Sequence, residues 1–529
     1  MQRIGKMALK VAFLVLAGLL AVLTPALAAK RVKKVKPGKA TGGKGMELYQ
    51  RGDLDGAIAE FRKALAVSPN DGQIYFNLGM ALVDKGNLPE AATAYEKSAT
   101  LLERQQEAPR LSVSMALNNL GLVLYQQNKM SEADARVEKA IKLWPSNPEP
   151  YVSRGLILES GGKLNEAIAS YRKALTLSAN HAGAEQSLGL ALARKGQIAD
   201  GIRVLQEAVK QHPEDADLQA ALGETLVSAN RLPEAVAALR ASVAANPSSA
   251  TALAMLGDAL RRQGKDKLPE AIEVLEKAHN LAPDDAMISN NLGSALAQAG
   301  RGKEAEALLQ SSTTQKGTNP SSFYNLASVL AGQGRYEEAI SAAQNAVKSR
   351  PNFPEASALL ASLYAATGKN ALATQTVKPA LAKNPKNADL HNAYGMVLMN
   401  QKQFALAGPQ FKQALALRPD FADARANYAT MLTMQRQYAA AVPEFQKVLK
   451  TDAGNVKAQA NLGIALLELR RYAEASEALS KAAQLAPANP EIHARLGLAL
   501  QKAGHAEEGR KEIEEAQRLK GGAPDKAGS

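Results

Sequence analysis

No cysteine occurs among the 529 residues. That excludes disulfides, thiolate metal sites, cysteine nucleophiles and a lipid-modified cysteine at a mature N-terminus. Aromatic residues are scarce, at 4% against a hydrophobic share of 46%. The apolar content is therefore mainly Ala, Leu and Val, which suits close helix packing better than aromatic-rich sheets. The six histidines (His181, His212, His279, His391, His493 and His505) are scattered, and none has a second histidine at the i, i+4 spacing of a metal-binding helix. No metal or cofactor is expected.

Acids are absent from residues 29–45, where Lys30, Arg31, Lys33, Lys34, Lys36, Lys39 and Lys44 stand. This tail holds most of the net charge. Of the formal +13, residues 1–28 carry +3 and this stretch +7, so only +3 is left for the other 484 residues. A nucleic-acid role for the whole protein loses its support. The tail reads as a flexible, solvated spacer or as a patch attracted to an anionic membrane or cell-wall surface.

The chain opens with Arg3, Lys6 and Lys10, an apolar run from Val11 to Leu23, then Pro25 and Ala26-Leu27-Ala28. This is the pattern of an export signal cleaved after Ala28. The run of 13 residues is short of the roughly 20 a spanning helix needs. A mature protein outside the cytoplasm, most naturally the periplasm of a bacterium, is the expectation.

From residue 38 to 523 the same residue types recur every 34 positions. With each repeat numbered 1 to 34, position 8 is Gly in eleven repeats, from Gly45 and Gly79 to Gly497, and Ala in three (Ala327, Ala361, Ala429). Position 20 is Ala in twelve and Gly in two (Gly201, Gly509), and position 32 is Pro in nine. Tyr75, Leu78, Gly79 and Leu82 fall at i, i+3, i+4 and i+7, and Leu164, Ala167, Ile168, Tyr171, Ala174 and Leu175 trace a second such face. Each repeat thus holds two amphipathic helices about 20 Å long. Small residues at positions 8 and 20 let the paired helices approach closely. Position 15 is Gly in nine repeats and Asn in two (Asn128, Asn230), which suits a left-handed helix end. Acids at position 19, such as Glu166, Glu234, Glu270 and Glu338, are expected to cap the second helix.

The 34-residue length, with Gly at 8, Ala at 20 and 27 and Pro at 32, as in Asn77-Leu78-Gly79 followed by Ala91, resembles the tetratricopeptide repeat (TPR). The resemblance implies an all-α, right-handed superhelical solenoid of about fourteen TPR helix-turn-helix units, with the first helices forming a concave wall. The expected organisation is a signal peptide at 1–28, a basic flexible segment at 29–44, the solenoid at 45–523 and a disordered tail at 524–529. Three departures stand out. Eight extra residues, Gln106 to Val113, are expected to lengthen a helix, Lys265 and Asp266 to enlarge a turn, and Pro379, Pro409 and Pro443 to kink second helices. The first repeat is the weakest, with Gly42, Gly43 and Gly45 in its first helix.

Little chemistry remains outside the repeat. Gly38-x4-Gly43-Lys44 resembles the start of a phosphate-binding loop, but Gly45 replaces the Ser or Thr that would hold Mg²⁺ and no strand is predicted before it. The 37 residues before the array and six after it suggest no separate catalytic domain, so the expectation is a protein that is not an enzyme. The resemblance also implies a partner-binding groove lined by positions 2, 5, 6, 9, 12 and 13 of the first helices. Near the N-terminus these are Phe76, Asn77, Met80, Asn118, Asn119, Leu122 and Tyr125, an aromatic and amide patch preferred as the contact site. Further along come Asn290, Asn291, Tyr324, Asn325, Asn392, Met396, Met399, Asn427, Asn461 and Arg495. Asn recurs at position 6 in six repeats and either bonds an extended peptide backbone or solvates the wall. A clamp for a terminal carboxylate, known in some relatives, matches Asn461 and Arg495 but meets Glu491 and Ala426 where cations are needed. Proteins or extended peptide segments are the expected partners, in a scaffold for an envelope complex (secretion, pilus, gliding motility or polysaccharide export). The alternative is an envelope-surface binder acting through its basic segment.

Overall fold

The computed structural model describes residues 42–105, 109–314 and 319–521. The expected signal peptide, nearly all of the basic segment and the C-terminal tail lie outside these residues. Among the described residues every long element is a helix, and no helix is long and apolar enough to cross a membrane.

Fourteen helix pairs follow the 34-residue register, from Gly43–Gln50 and Leu54–Val67 to Pro490–Lys502 and Ala506–Gly521. Most first helices run 13 residues and most second helices 14. The contacts divide the chain into two compact bodies, residues 1–283 and 284–529, holding repeats one to seven and eight to fourteen. Within each body a first helix packs on its own second helix and beside the first helix of the next repeat. Within each body the first helices therefore form a wall, and the second helices an outer layer.

Helix ends follow from side-chain chemistry. Position 34 supplies the N-cap of the next first helix: Asp71 accepts from the backbone N–H of Gln73 and Ile74, and Asp215, Asp285 and Asn489 do the same in their repeats. Position 15 has positive φ in all fourteen repeats, including Lys402, Arg436 and Arg470, where glycine and asparagine are missing. Several position-19 acids meet a position-16 side chain: Glu234, Glu304, Glu338 and Glu474 each receive two bonds of 2.5 to 2.7 Å from Arg231, Arg301, Arg335 and Arg471. Asn87 and Glu90 build the same corner. These recurrent carboxylates have a structural role, as the register indicated.

The core is made where small residues let helices touch. A Cβ on Gly155 would lie 2.3 Å from the Tyr171 ring, and one on Gly189 2.4 Å from Leu205. Tyr171, Phe61 and Phe411 are fully buried against such positions. The insertion between repeats two and three lengthens two helices, Leu88–Arg104 and Arg110–Gln126, to 17 residues each. Lys265 and Asp266 lie in a short 3-10 turn, Lys265–Lys267.

The interior prolines do not interrupt their helices: Asn370–Lys383, Phe404–Leu417 and Tyr438–Thr451 run through Pro379, Pro409 and Pro443. Adjustment is local. Leu406 N–H bonds Gln403 and Ala440 N–H bonds Gln437 in tightened first turns. Gly43 and Lys44 open the first helix, and Lys44 lies 3.4 Å from Glu60 on the surface. That is a helix-surface ion pair rather than a phosphate cradle.

Candidate functional site

The wall of first helices is the surface with the most chemistry, and its side chains are joined from repeat to repeat. The Asn325 amide donates to Asn290 Oδ1 at 2.9 Å, and Asn427 to Asn392 at 3.0 Å. Both bonds run from position 6 of one repeat to position 5 of the one before. A second rung joins position 12 to position 13 of the next repeat: Tyr49 with Asp84 at 2.5 Å, Tyr125 with Ser160, Glu159 with Arg194, and the Ala365 carbonyl with Asn400 at 3.0 Å. These groups hold the stagger of neighbouring repeats.

This geometry corrects the preferred contact site. Phe76 is 5% exposed, Asn118 2% and Leu122 5%, and Asn119 and Tyr125 are also buried. Phe76 packs edge-on against Tyr95 at 5.5 Å, Asn119 reaches the Tyr95 hydroxyl at 3.4 Å, and Tyr125 bonds Ser160. Bulky apolar side chains at these positions find neighbours in the adjoining helices, and burying them there stabilises the stack. Asn77 and Met80 remain half-buried at the surface of the wall.

Asn291, Tyr324, Asn325, Asn427, Asn461 and Arg495 are all half-buried, as are Met396 and Met399. Asn461 points to Thr430 at 3.5 Å, and Asn291 Oδ1 takes a long bond of 3.4 Å from Asn290. Arg495 lies 3.9 Å from Glu491, so the acid that breaks the carboxylate-clamp pattern sits beside the cation the clamp would use. In the same stretch of wall, Met434 and Leu498 are exposed at 52% and 41%.

Two charged wall residues were not singled out from the sequence. Asp217 and Glu224 occupy positions 2 and 9 of the first helix of repeat six (Ala216–Ser228), where i and i+7 share a face. Neither side chain has a hydrogen-bond or ion-pair partner. Burial, with Asp215 nearby, pushes the Asp217 carboxyl up to about 6; burial also raises Glu224, against the pull of Arg194. Their register positions, 2 and 9, are the signal that the sequence carries for them.

Three of the histidines act within the scaffold. His391 contacts Gln410 at 2.8 Å and the Pro385 carbonyl at 3.0 Å, and His493 contacts Glu512 at 2.6 Å and the Pro487 carbonyl at 3.0 Å. Arg425 makes the equivalent pair with Glu444 and the Pro419 carbonyl. Position 4 is thus a donor that ties down the preceding inter-repeat loop. His181 caps the next helix by accepting from Ala184 N–H and lies 3.0 Å from Glu149. Among the described residues no group of His, Asp and Glu is arranged to hold a metal ion.

Known proteins place this architecture. A chain in the crystal structure of the APC/C hetero-tetramer Cut9-Hcn1 superposes with a TM-score of 0.54 at 15% identity, covering 86% of this chain and 95% of that one. At that identity the likeness speaks to fold alone. No curated protein sequence matches the chain. Models described as "Tetratricopeptide repeat" match residues 43–109, 115–182, 187–250 and 220–278, then 264–328, 330–397, 388–421 and 432–482, and a "TPR repeat" model matches 465–504. With helix pairs, register and family models in agreement along nearly the whole described chain, the protein belongs to the tetratricopeptide repeat family.

Proposed function

We propose that this protein is a non-catalytic scaffold for protein partners, working in the bacterial periplasm to organise a cell-envelope complex of the secretion, pilus, gliding-motility or polysaccharide-export kind. The observation that carries the reading is the wall itself. Half-buried amides, methionines and Tyr324 on successive first helices offer donors, acceptors and adaptable apolar surface to an extended or helical segment. The envelope assignment rests on the basic, apolar and small-residue pattern of residues 1–28. A photo-crosslinking residue at Asn325 or Met396, activated in cells and followed by mass spectrometry, should recover defined envelope proteins. Recovery of none above the level of an outer-face control at Lys173 would reject the reading.

The basic segment favours a second reading, in which residues 29–44 hold the protein to anionic lipid or cell-wall polymer. Removing residues 29–44 should then abolish pelleting with anionic vesicles or wall fragments at low salt. An unchanged pellet would exclude it.

A further inference from the structure

We propose that the outer face of repeats ten to twelve is a second docking surface, separate from the inner wall, for an acidic, leucine-bearing helical segment of a partner protein.

The repeats serve as controls for one another. Position 19 is an acid in repeats two to nine and again in thirteen and fourteen, but it is Leu372, Leu406 and Ala440 in repeats ten to twelve. An acid there, in the first turn of the second helix, is favoured by the helix dipole. Its loss in three successive repeats runs against local stability. The same three second helices carry Pro379, Pro409 and Pro443, all exposed. Because proline has no N–H, the carbonyls of Gln375, Ala405 and Ala439, four residues earlier, lack their usual helical donor. Consecutive departures from a locally favourable pattern, confined to one face, are what a binding surface leaves behind.

The chemistry of the face names its partner. Leu372 is 45% exposed and Leu406 57%. Lys378, Lys383, Lys412 and Lys450 are exposed on the same three helices without an acidic partner, Lys378 and Lys412 lying over the Tyr394 and Tyr428 rings at 5.9 Å. Glu444, already bound to Arg425 and Lys447, is the one acid in these three helices. Exposed leucines on helices whose lysines lack acidic partners complement an amphipathic segment whose leucines are flanked by carboxylates. A protein segment fits better than a lipid surface, since two leucines without Trp or Phe make a poor membrane anchor.

The test uses the full chain and a fluorescently labelled helical peptide with a leucine stripe flanked by glutamates. The peptide should bind at low salt and weaken as salt rises. The double variants Leu372→Glu/Leu406→Glu and Lys378→Glu/Lys412→Glu should each weaken it about tenfold. Arg172→Glu/Lys173→Glu, on the outer face of repeat four, should leave it unchanged. Misfolding would not mimic the result, because Leu372→Glu and Leu406→Glu restore the acid found at this position elsewhere; helicity and Tm should hold or rise while binding falls. The proposal is overturned if the peptide does not bind, if the repeat-four control loses as much, or if phosphatidylcholine vesicles containing phosphatidylglycerol are bound through the same residues in place of the peptide.

Discussion

The side-chain amide of Asn325 donates to Oδ1 of Asn290, 35 residues earlier, at 2.9 Å, and Asn427 repeats the bond to Asn392 at 3.0 Å. Amides that looked free to receive a peptide therefore spend one donor on the neighbouring repeat. Asn290 and Asn392 are buried, so removing the donor strands an acceptor. Asn325→Ala and Asn427→Ala should each cost about 1–2 kcal/mol, read as faster amide exchange in the first helices on both sides of the rung. Asn77→Ala loses only an exposed bond within its own helix, from Gln73 at 3.2 Å, and should cost under about 0.5 kcal/mol.

Two glycines inside helices should respond to alanine with opposite sign. At Gly155 the added methyl meets the buried Tyr171 ring at 2.3 Å, whereas at Gly408 the nearest atom is the Met431 terminal methyl at 3.6 Å. Gly155→Ala should destabilise by about 1–3 kcal/mol through overpacking. Gly408→Ala should stabilise by roughly 0.5–1 kcal/mol, the usual gain of Ala over Gly in a helix. Chemical denaturation of the two variants checks the sign.

Lys402, Arg436 and Arg470 hold φ near 60° at a position that is glycine in nine repeats. A side chain in this conformation costs roughly 1–2 kcal/mol, partly offset by the greater freedom of glycine in the unfolded chain. Each change to Gly should therefore stabilise by about 0.5–1 kcal/mol. The triple variant should show a clear rise in Tm, and a fall would count against the strain.

Asp217 gives the wall a pH dependence. Its folded carboxyl titrates at about 6, above the ordinary 3.8. The stability it contributes is fully present below about pH 3.8 and is lost as pH rises through about 6. Asp217→Asn should then stabilise the fold at pH 7.5 by about 1 kcal/mol, once solvent screening of this half-buried group is allowed for, and so raise Tm. The advantage should vanish by about pH 4, where wild type is also protonated. A difference that does not change with pH would show that the asparagine acts through packing.

The inner wall shows where sequence reading stops. Its register positions were legible, since a groove residue is named by counting from Gly79 or Gly121. Its exposure was not, because Phe76 and Tyr125 look like contact residues until Tyr95 and Ser160 are seen against them. Asp217 and Glu224 look ordinary until the wall is seen to bury them without a salt-bridge partner.

By itself the sequence determined the helix pairs, their period and their small-residue seams, because these depend on patterns within 34 residues that local physics reads directly. It also determined the family. The tertiary structure alone decided which wall residues are rungs and which are open, and that Lys402, Arg436 and Arg470 turn left-handed as glycine does. The reason is the stagger between repeats: partners 35 residues apart meet only when each repeat is seated on the last, and the closing geometry of the helix pair imposes its backbone whatever residue stands at the turn.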